Sequence, residues 1–223
     1  PHIHMANIAC GFHASDPLVM QKTLGLAAEN RVEVGAHPGY PDLVGFGRRS
    51  MKCSEPELLA LLHYQIAALS GMATMHGLQV TYVKPHGAMY NDMMRDMKMM
   101  QCVMRSVAEY SPQLNLVVQA TAENDKYREM ANVYGINLLF EAFADRAYED
   151  SGLLVPRSTS GAVLVDPQQI IDRVVELSEQ GTVDTLTGNK ICLQPDTLCV
   201  HGDNAESVAQ IQQIRKVLDA VSG

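Results

Sequence analysis

The sequence lacks any run of apolar residues approaching the roughly 20 that a membrane-spanning helix needs, and no basic segment followed by an apolar stretch opens the chain. Positive charge is also scarce, because Lys and Arg total 17 against 25 Asp and Glu and the formal net charge is −8. That balance disfavours a nucleic-acid partner. The five cysteines are scattered, without the close pairs of a zinc knuckle or redox motif. We therefore expect a cytoplasmic protein with reduced thiols and no membrane or nucleic-acid partner.

Several catalytic signatures are absent as well. The sequence contains no H-E-x-x-H, no G-x-S-x-G and no Rossmann glycine fingerprint. It also has no G-x-x-x-x-G-K-[ST] loop, the sequence that cradles ATP phosphates. No single one of these motifs therefore assigns an activity, and the chemistry has to be read from where reactive side chains lie along the fold.

Short apolar runs, rich in Val, Ile and Leu, alternate with helical patterns along the chain. Asp16 and Asp166, each followed by proline, mark two helix starts, and Ser54 with Glu57 forms a capping box before a long amphipathic helix. Strands that alternate with helices pair in parallel through right-handed crossovers, so the pattern predicts an α/β protein, either a barrel or a doubly wound sheet. The predicted strands are residues 3–10, 32–36, 80–84, 115–119, 136–141 and 197–200.

No linker or repeat divides the sequence, and we expect residues 1–223 to form a single domain. Because the chain begins with proline inside a strand pattern, one N-terminal βα unit is expected to be absent. Residues 182–194 do not fit a plain βα unit and predict a short extended excursion with a turn at 187–189. A methionine cluster is spaced as one face of a helix, which favours core packing over a partner surface. The cluster comprises Met93, Met94, Met97, Met99, Met100 and Met104, and the four with the spacing of one helix face are Met93, Met97, Met100 and Met104.

Reactive side chains follow the ends of several predicted strands. In a parallel β/α barrel the carboxyl ends of the strands open onto one shared mouth, which is where such folds build their active sites. We therefore expect these side chains to meet in one active site of an enzyme. They are His13, His37, Lys84, His86, Glu141 and His201.

The segment Lys-Pro-His-Gly that begins at Lys84 is the most specific of these signals. A lysine at the end of a buried strand must be paired or lose its proton more easily than in water, and either outcome suits a site that polarises a carbonyl or carries a proton. His86 can exchange protons at neutral pH. Asn91, further along, either hydrogen-bonds a substrate or starts the next helix. We interpret Lys84, His86, Glu141 and His13 as the catalytic candidates.

Further polar residues near the strand ends are candidates for binding an anionic substrate. Arg48 lies in a Gly-rich loop that suits an anion, although a solvated basic turn fits equally well. Asp145 and Arg146 are as compatible with a structural ion pair as with a site. Asp203 either orients His201 or caps the last helix. The substrate-binding candidates are His37, Arg48, Asn91, Asp145, Arg146, Arg157, His201 and Asp203.

The histidines at the strand ends also suit a divalent metal, although their spacing does not settle whether a metal is bound or which one. Imidazole nitrogens are common metal ligands, and the remaining histidines of the sequence do not have the spacing of a zinc motif. The candidate ligands are His13, His37, His86 and His201.

The segments ANIACGFHASDP, VGAHPGYPD, FGRR, VKPHGAMYN, FADRAY, LVPRS and CVHGD, in that order, resemble the LamB/YcsF family, and the resemblance covers essentially the whole chain. It implies an irregular seven-stranded β/α barrel that is TIM-like and related to the polysaccharide deacetylases. It also implies hydrolytic opening of the lactam 5-oxoproline to glutamate, coupled to ATP through two partner subunits, B and C. The family's N-terminal DLN-x-D-x-GE pattern is not in this sequence, so the first strand and its acids are expected to be missing from this chain.

Two other functions remain open at this stage. The same strand ends suit a metal-dependent deacetylase or amidohydrolase that acts without partners on a sugar or a small amide. The third alternative is a non-catalytic subunit that binds a lactam or a sugar. It is less favoured, because it gives no role to the several histidines at the strand ends.

Overall fold

A computed structural model of the chain describes residues 2–202 and 205–222. In chain order, the first elements are β1 (Met5–Ala9), α1 (Pro17–Asn30), β2 (Glu33–His37), α2 (Glu55–Thr74), β3 (Val80–Val83), α3 (Gly87–Arg95), α4 (Met97–Tyr110) and β4 (Asn115–Gln119). The remaining elements are α5 (Asn124–Tyr134), β5 (Leu138–Phe143), α6 (Pro167–Gln180), β6 (Thr182–Asp184), β7 (Lys190–Cys192), β8 (Thr197–Cys199) and α7 (Ala205–Ser222).

The chain divides into two compact units. The first comprises Ile3–Val118 and Lys126–Leu138, and the second comprises Gln119–Asp125 and the chain from Leu139 onward, with His2. Every predicted strand is present, with bounds that differ from the prediction by at most a few residues. The prediction that the whole chain forms a single domain stays a prediction.

Parallel strands form the sheet of the first unit, in the order β1-β2-β3-β4. The register of β1 and β2 runs from Met5 opposite Glu33 to Ala9 opposite His37. Consecutive strands are joined by helices, as parallel pairing requires. The carboxyl ends of β1, β2 and β3 therefore lie side by side at one edge of this sheet, and the loops that follow these strands begin there.

The predicted helix starts are confirmed by their hydrogen bonds. The Asp16 carboxylate accepts from the Val19 N–H at 2.9 Å, and proline occupies the first turn of α1. The Glu57 carboxylate accepts from both the backbone N–H and the hydroxyl of Ser54, at 2.7 and 2.6 Å, in the first turn of α2. The two carboxylates therefore accept from backbone N–H groups at the starts of α1 and α2, where the helix itself offers no acceptor.

The predicted methionine helix is interrupted. Asp96 has φ −124° and ψ 107°, which ends α3, and its carboxylate accepts from the N–H groups of Lys98 and Met99 to begin α4. The cluster was therefore wrongly placed on one helix, because Asp96 acts as a helix cap inside the run. Its expected packing is confirmed for three members, which have no exposed surface: Met93, Met100 and Met104.

In the second unit, β5 and β8 pair in parallel, with Glu141 opposite Thr197. A buried apolar cluster that includes Ala144, Ile170 and Val174 forms the core beside α6 and α7. The predicted extended excursion is present as the antiparallel pair β6 and β7. The alternation of parallel strands and helices confirms the predicted α/β class. Within the described part of the chain, no helix is both long and apolar enough to cross a membrane.

Candidate functional site

Three histidines of the first unit lie together at the carboxyl ends of its strands. His13 lies in the loop after β1, His37 is the last residue of β2, and His86 directly precedes α3. The rings of His13 and His86 are stacked, with centroids 3.8 Å apart and an interplanar angle of 4°. The His37 ring meets the His86 ring edge-on, with centroids 4.8 Å apart. The sequence-predicted grouping of these three side chains is therefore present in the structure.

The loop that follows β2 packs directly on the stacked rings of His13 and His86, and it can do so because it has glycine at the points of contact. A Cβ on Gly47 would lie 2.7 Å from the Cβ of His13 and 2.8 Å from Cδ2 of His86, and the φ of Gly47 is +64°. A Cβ on Gly39 would lie 2.7 Å from Nδ1 of His13. The Gly47 carbonyl accepts from the Ala88 N–H at 2.9 Å, so this loop also bonds to the first turn of α3.

Backbone carbonyls hold two of the imidazoles in place. Nδ1 of His37 lies 2.6 Å from the Lys84 carbonyl oxygen, and Nε2 of His86 lies 2.8 Å from the Phe46 carbonyl oxygen. The remaining nitrogens, Nδ1 of His86 and Nε2 of His37, are 3.0 Å apart. Nδ1 of His13 is buried without a hydrogen-bond partner among the described residues. Nitrogens of the three rings lie within 4.8 Å of one another, a spacing at which they can hold a metal ion.

Burial keeps the imidazoles of His13 and His37 uncharged. It lowers the pKa of His13 to about 3, with smaller contributions from the charges of His86 and Arg48. Burial, followed by the charges of His86, Lys84 and His13, also moves the pKa of His37 well below its ordinary value. Both rings are therefore neutral at physiological pH, the state in which imidazole binds metals or accepts protons.

Lys84 is buried at the end of β3, with 5% of its surface exposed. Its Nζ lies 5.8 Å from the centroid of the Tyr90 ring, a distance at which the aromatic face attracts a cation. Asn91 is half-buried inside α3, so it does not start a helix. The expected burial of the lysine is thus present, and its role in the reaction stays a prediction.

The two arginines of the predicted anion-binding loop differ. Arg49 donates to the buried carboxylate of Asp42, with its Nε 3.1 Å from each oxygen, and hydrogen bonds from Arg49 lower the pKa of that carboxyl to about 2. Arg48 is exposed, and its guanidinium carbon lies 5.0 Å from the centroid of the Phe46 ring. Arg49 therefore fixes the loop, whereas the Arg48 guanidinium is exposed and its role in binding an anion stays a prediction.

In the second unit, Asp145 and His201 form a partly buried pair. Nδ1 of His201 lies 2.9 and 3.1 Å from the two carboxylate oxygens of Asp145, and the Asp145 side chain is almost fully buried. The ring of Phe143 stacks on the imidazole with centroids 5.7 Å apart. Asp145 therefore orients His201, the role that the sequence offered to Asp203. Asp203 itself lies outside the described residues.

The other predicted residues of this unit are placed differently. Arg146 is buried and donates to the carbonyls of Val155 and Ala162, at 2.6 and 3.2 Å, so its guanidinium holds the loop after β5. Glu141 is buried within β5 with 2% of its surface exposed, and Arg157 lies exposed in the following loop. Of the two arginines, only Arg157 presents its side chain to solvent.

Gln65 is a supporting residue that the sequence analysis missed. It lies on the buried face of α2 with no exposed surface. Its side-chain oxygen accepts from the Gly39 N–H at 2.9 Å, and its side-chain nitrogen donates to the Gly39 carbonyl at 3.0 Å. Gln65 thus fixes the backbone against which His13 lies. A polar residue between Leu62 and Leu69, on the apolar stripe of the helix, was the available signal.

Residues 1–222 match the LamB/YcsF family. The chain is 50% identical to the 5-oxoprolinase A subunit of Pseudomonas fluorescens, covering 100% of this chain and 89% of that protein. It is also 50% identical to the 5-oxoprolinase A subunit of Vibrio parahaemolyticus, covering 98% of this chain and 86% of that protein. A crystal structure of the lactam utilization protein from Thermus thermophilus superposes with a TM-score of 0.87 at 40% identity, covering 99% of this chain and 87% of that one.

These similarities extend over nearly the whole chain and confirm the predicted fold class. They also agree with the order of the strand-end motifs, whose histidines the structure brings together at the ends of β1, β2 and β3. On the family match and the identities with its relatives, this chain belongs to the LamB/YcsF family.

Proposed function

We propose that this chain is the A subunit of an ATP-dependent 5-oxoprolinase, an enzyme that opens the ring of 5-oxoproline to give L-glutamate. The observation that carries the proposal is the identity of about half of all positions with curated 5-oxoprolinase A subunits over nearly the full length of this chain. The buried Lys84 and the three clustered imidazoles, of which His13 and His37 are neutral, supply the groups that a small anionic lactam requires.

The relatives are named as one subunit, so they work with other subunits. We assign the ATP chemistry of this chain's complex to partner subunits B and C. The absence of a phosphate-cradling loop from the sequence supports that division. In the proposed reaction, the partners phosphorylate the lactam oxygen, which makes the ring carbon a better electrophile. Water then adds to that carbon, and the ring C–N bond breaks as a proton passes to the nitrogen, which leaves an acyl phosphate of glutamate. A second water hydrolyses this acyl phosphate and releases phosphate.

This chain's residues would hold the substrate and move the protons. In the first unit, Lys84 with Arg48 would bind the carboxylate or phosphate of the activated lactam, and Arg157 stays a candidate of the second unit for binding an anion. One group must take a proton from water and another must return one to the ring nitrogen. The two base candidates are His86, both of whose ring nitrogens lie within hydrogen-bond distance of other groups, and Glu141, which is buried within β5.

In the second unit, the Asp145 carboxylate would hold His201 as a proton carrier. Nδ1 of His201 points at Asp145, which leaves Nε2 as the nitrogen that exchanges protons. A carboxylate behind an imidazole fixes its tautomer and stabilises its protonated form. Asp145 would therefore act through His201 as a positioning residue.

The test is 5-oxoproline-dependent ATP hydrolysis and glutamate formation by the chain, measured with and without subunits B and C. We expect turnover only in the complete mixture, and Lys84→Met should lower it by about 100-fold or more, a typical loss for a charge that stabilises a reacting group. Lys98→Met, on the exposed side of α4, is the matched control and should leave turnover unchanged. If this chain does not support turnover by the partners, the assignment as the A subunit is wrong. Unchanged turnover in Lys84→Met would remove only that residue from the mechanism.

The histidine cluster favours a second candidate function, a metal-dependent deacetylase or amidohydrolase that acts alone. Such an enzyme would hydrolyse an amide without ATP and without partners. Amide hydrolysis by the isolated, metal-loaded chain, with no stimulation by B and C, would favour this candidate over the first.

A further inference from the structure

Two backbone carbonyls determine which nitrogens of His37 and His86 carry protons. A carbonyl oxygen accepts hydrogen bonds and cannot donate. The contact with the Lys84 carbonyl therefore places a proton on Nδ1 of His37, and the contact with the Phe46 carbonyl places one on Nε2 of His86. A neutral imidazole has a single N–H. In the neutral pair, Nε2 of His37 and Nδ1 of His86 consequently both carry lone pairs.

With both rings neutral, the state in which imidazole binds a metal, these two nitrogens face each other lone pair to lone pair at 3.0 Å. Two acceptors at that distance, with no hydrogen between them, repel each other, and burial strengthens the repulsion because the surroundings screen it weakly. A cation bound by both nitrogens turns the repulsion into attraction. Two ligands at the usual metal–nitrogen distance of about 2.05 Å are about 3.0 Å apart when they subtend an angle slightly above 90° at the ion.

The surroundings match those of metal-binding histidines. Such residues almost always donate their second ring N–H to a carbonyl or a carboxylate, which fixes the tautomer. His37 and His86 both do so, through the carbonyls of Lys84 and Phe46. As a result, the nitrogen that can bind a metal is Nε2 in His37 and Nδ1 in His86.

His13 is the third candidate ligand, because it offers a nitrogen within 4.8 Å of the other two and its buried Nδ1 has no partner among the described residues. Its ring is parallel to that of His86, however, at 3.8 Å. Lone pairs lie in the plane of an imidazole, so two stacked rings cannot direct theirs at one point. His37 and His86 are therefore the primary pair, and His13 joins by turning its ring.

We propose that Nε2 of His37 and Nδ1 of His86 bind one divalent transition metal ion, with His13 as the third ligand. Imidazole nitrogens favour zinc, cobalt, nickel or copper over magnesium and calcium, which prefer oxygen. When bound, such an ion supplies a Lewis acid and a water of lowered pKa. The proposal rests on the proposed function only for the metal's role in the reaction, since binding itself is independent of the substrate.

The test uses the full chain, treated with a chelator and then titrated with Co²⁺ and Zn²⁺. Cobalt absorption in the visible range and calorimetry should report one ion per chain. His37→Gln and His86→Gln should each weaken metal binding by about 100-fold or more. Loss of a residue that only hydrogen-bonds to a ligand weakens metal binding by about 10–100-fold, so loss of a ligand itself should weaken it at least as much. His76→Gln, a histidine outside the cluster, is the matched control and should bind like the parent. No binding by the parent, or unchanged affinity in both ligand variants, would overturn the proposal.

A measurement on the parent protein covers the case in which a variant fails to fold. In ¹⁵N spectra of the imidazoles, zinc should shift Nε2 of His37 and Nδ1 of His86, while the other nitrogen of each ring keeps its proton. Shifts at Nε2 of His86 or Nδ1 of His37 would contradict the assignment. Metal binding without 5-oxoproline turnover in the complete mixture would contradict the proposed function but not the metal site. Full turnover by a chain that binds no metal would contradict the metal site but not the proposed function.

Discussion

Substitution of Gly47 by alanine tests how tightly the loop after β2 packs on the histidine pair. At this position an added Cβ would lie 2.7 Å from the Cβ of His13 and 2.8 Å from Cδ2 of His86. Neither atom is the end of a flexible chain, because the first is fixed by the backbone and the second belongs to a ring bonded on both sides. The φ of +64° adds a second cost, since alanine disfavours the left-handed region.

The two costs separate with a control. The left-handed conformation costs alanine about 1–2 kcal/mol, and forcing an extra carbon into a packed site costs about 1–3 kcal/mol. Gly77 has φ +69° and no atom within 4 Å of the position that a Cβ would occupy, so Gly77→Ala carries only the first cost. We therefore expect Gly47→Ala to lower the free energy of unfolding by about 1–3 kcal/mol more than Gly77→Ala does.

Urea unfolding at one pH and temperature measures this difference, provided that the m-value is the same for the parent and both variants. Equal losses in Gly47→Ala and Gly77→Ala would refute the reasoning, because they would leave only the backbone cost at both positions. A loss in Gly47→Ala that becomes smaller when His86 is replaced by alanine would identify the His86 ring as one of the groups that the new methyl displaces, because that substitution removes Cδ2 whereas alanine at position 13 would keep the Cβ.

Three further predictions concern the surroundings of the site. Gln65→Leu leaves the backbone N–H and carbonyl of Gly39, both of which Gln65 binds, without that partner in a buried position. The free energy of unfolding should therefore fall by about 2–4 kcal/mol, and an unchanged urea midpoint would contradict this. Burial raises the pKa of Cys10 to about 12, whereas Cys192 is exposed, so iodoacetamide at pH 8 should label Cys192 first; equal labelling by mass spectrometry would contradict the burial. Hydrogen bonds from Arg49 hold the pKa of Asp42 near 2, below its ordinary value, so its ionised form stabilises the fold above about pH 4 and that contribution disappears as the pH falls through 2. The stability gap between the parent and Asp42→Asn should therefore narrow across this range in acid titrations, and a constant gap would argue against the pairing.

The strands and helix starts were accessible from the sequence because each has a local cause. Apolar runs bounded by turn residues predicted the strands, and acids before proline predicted the caps that Asp16 and Asp166 form. The break at Asp96 was missed, although it has the same local cause. An N-cap in the middle of a helical pattern is hard to recognise, because the methionine spacing continues across it.

The members of the histidine cluster were accessible, but their geometry was not. Three histidines after three consecutive parallel strands must lie near one another, and the sequence predicted that. The tautomers of His37 and His86 depend on carbonyl oxygens of Lys84 and Phe46, and a backbone carbonyl leaves no mark in a sequence. Similarly, the contact between Asp145 and the imidazole of His201 joins residues 56 positions apart, which the sequence alone did not pair.

The loop between Asp42 and Gly47 has a consequence for protein engineering. Two successive carbonyls at its end bind the start of α3, from Phe46 to His86 and from Gly47 to Ala88, while the Gly47 N–H returns to the Asp42 carbonyl at 2.8 Å. Its tip is exposed, with Val44 at 93%. Substitutions at the tip are therefore compatible with the fold, whereas inserting or deleting one residue there would move both carbonyls out of register with α3. In this loop the number of residues is constrained more strongly than the identity of those at its tip.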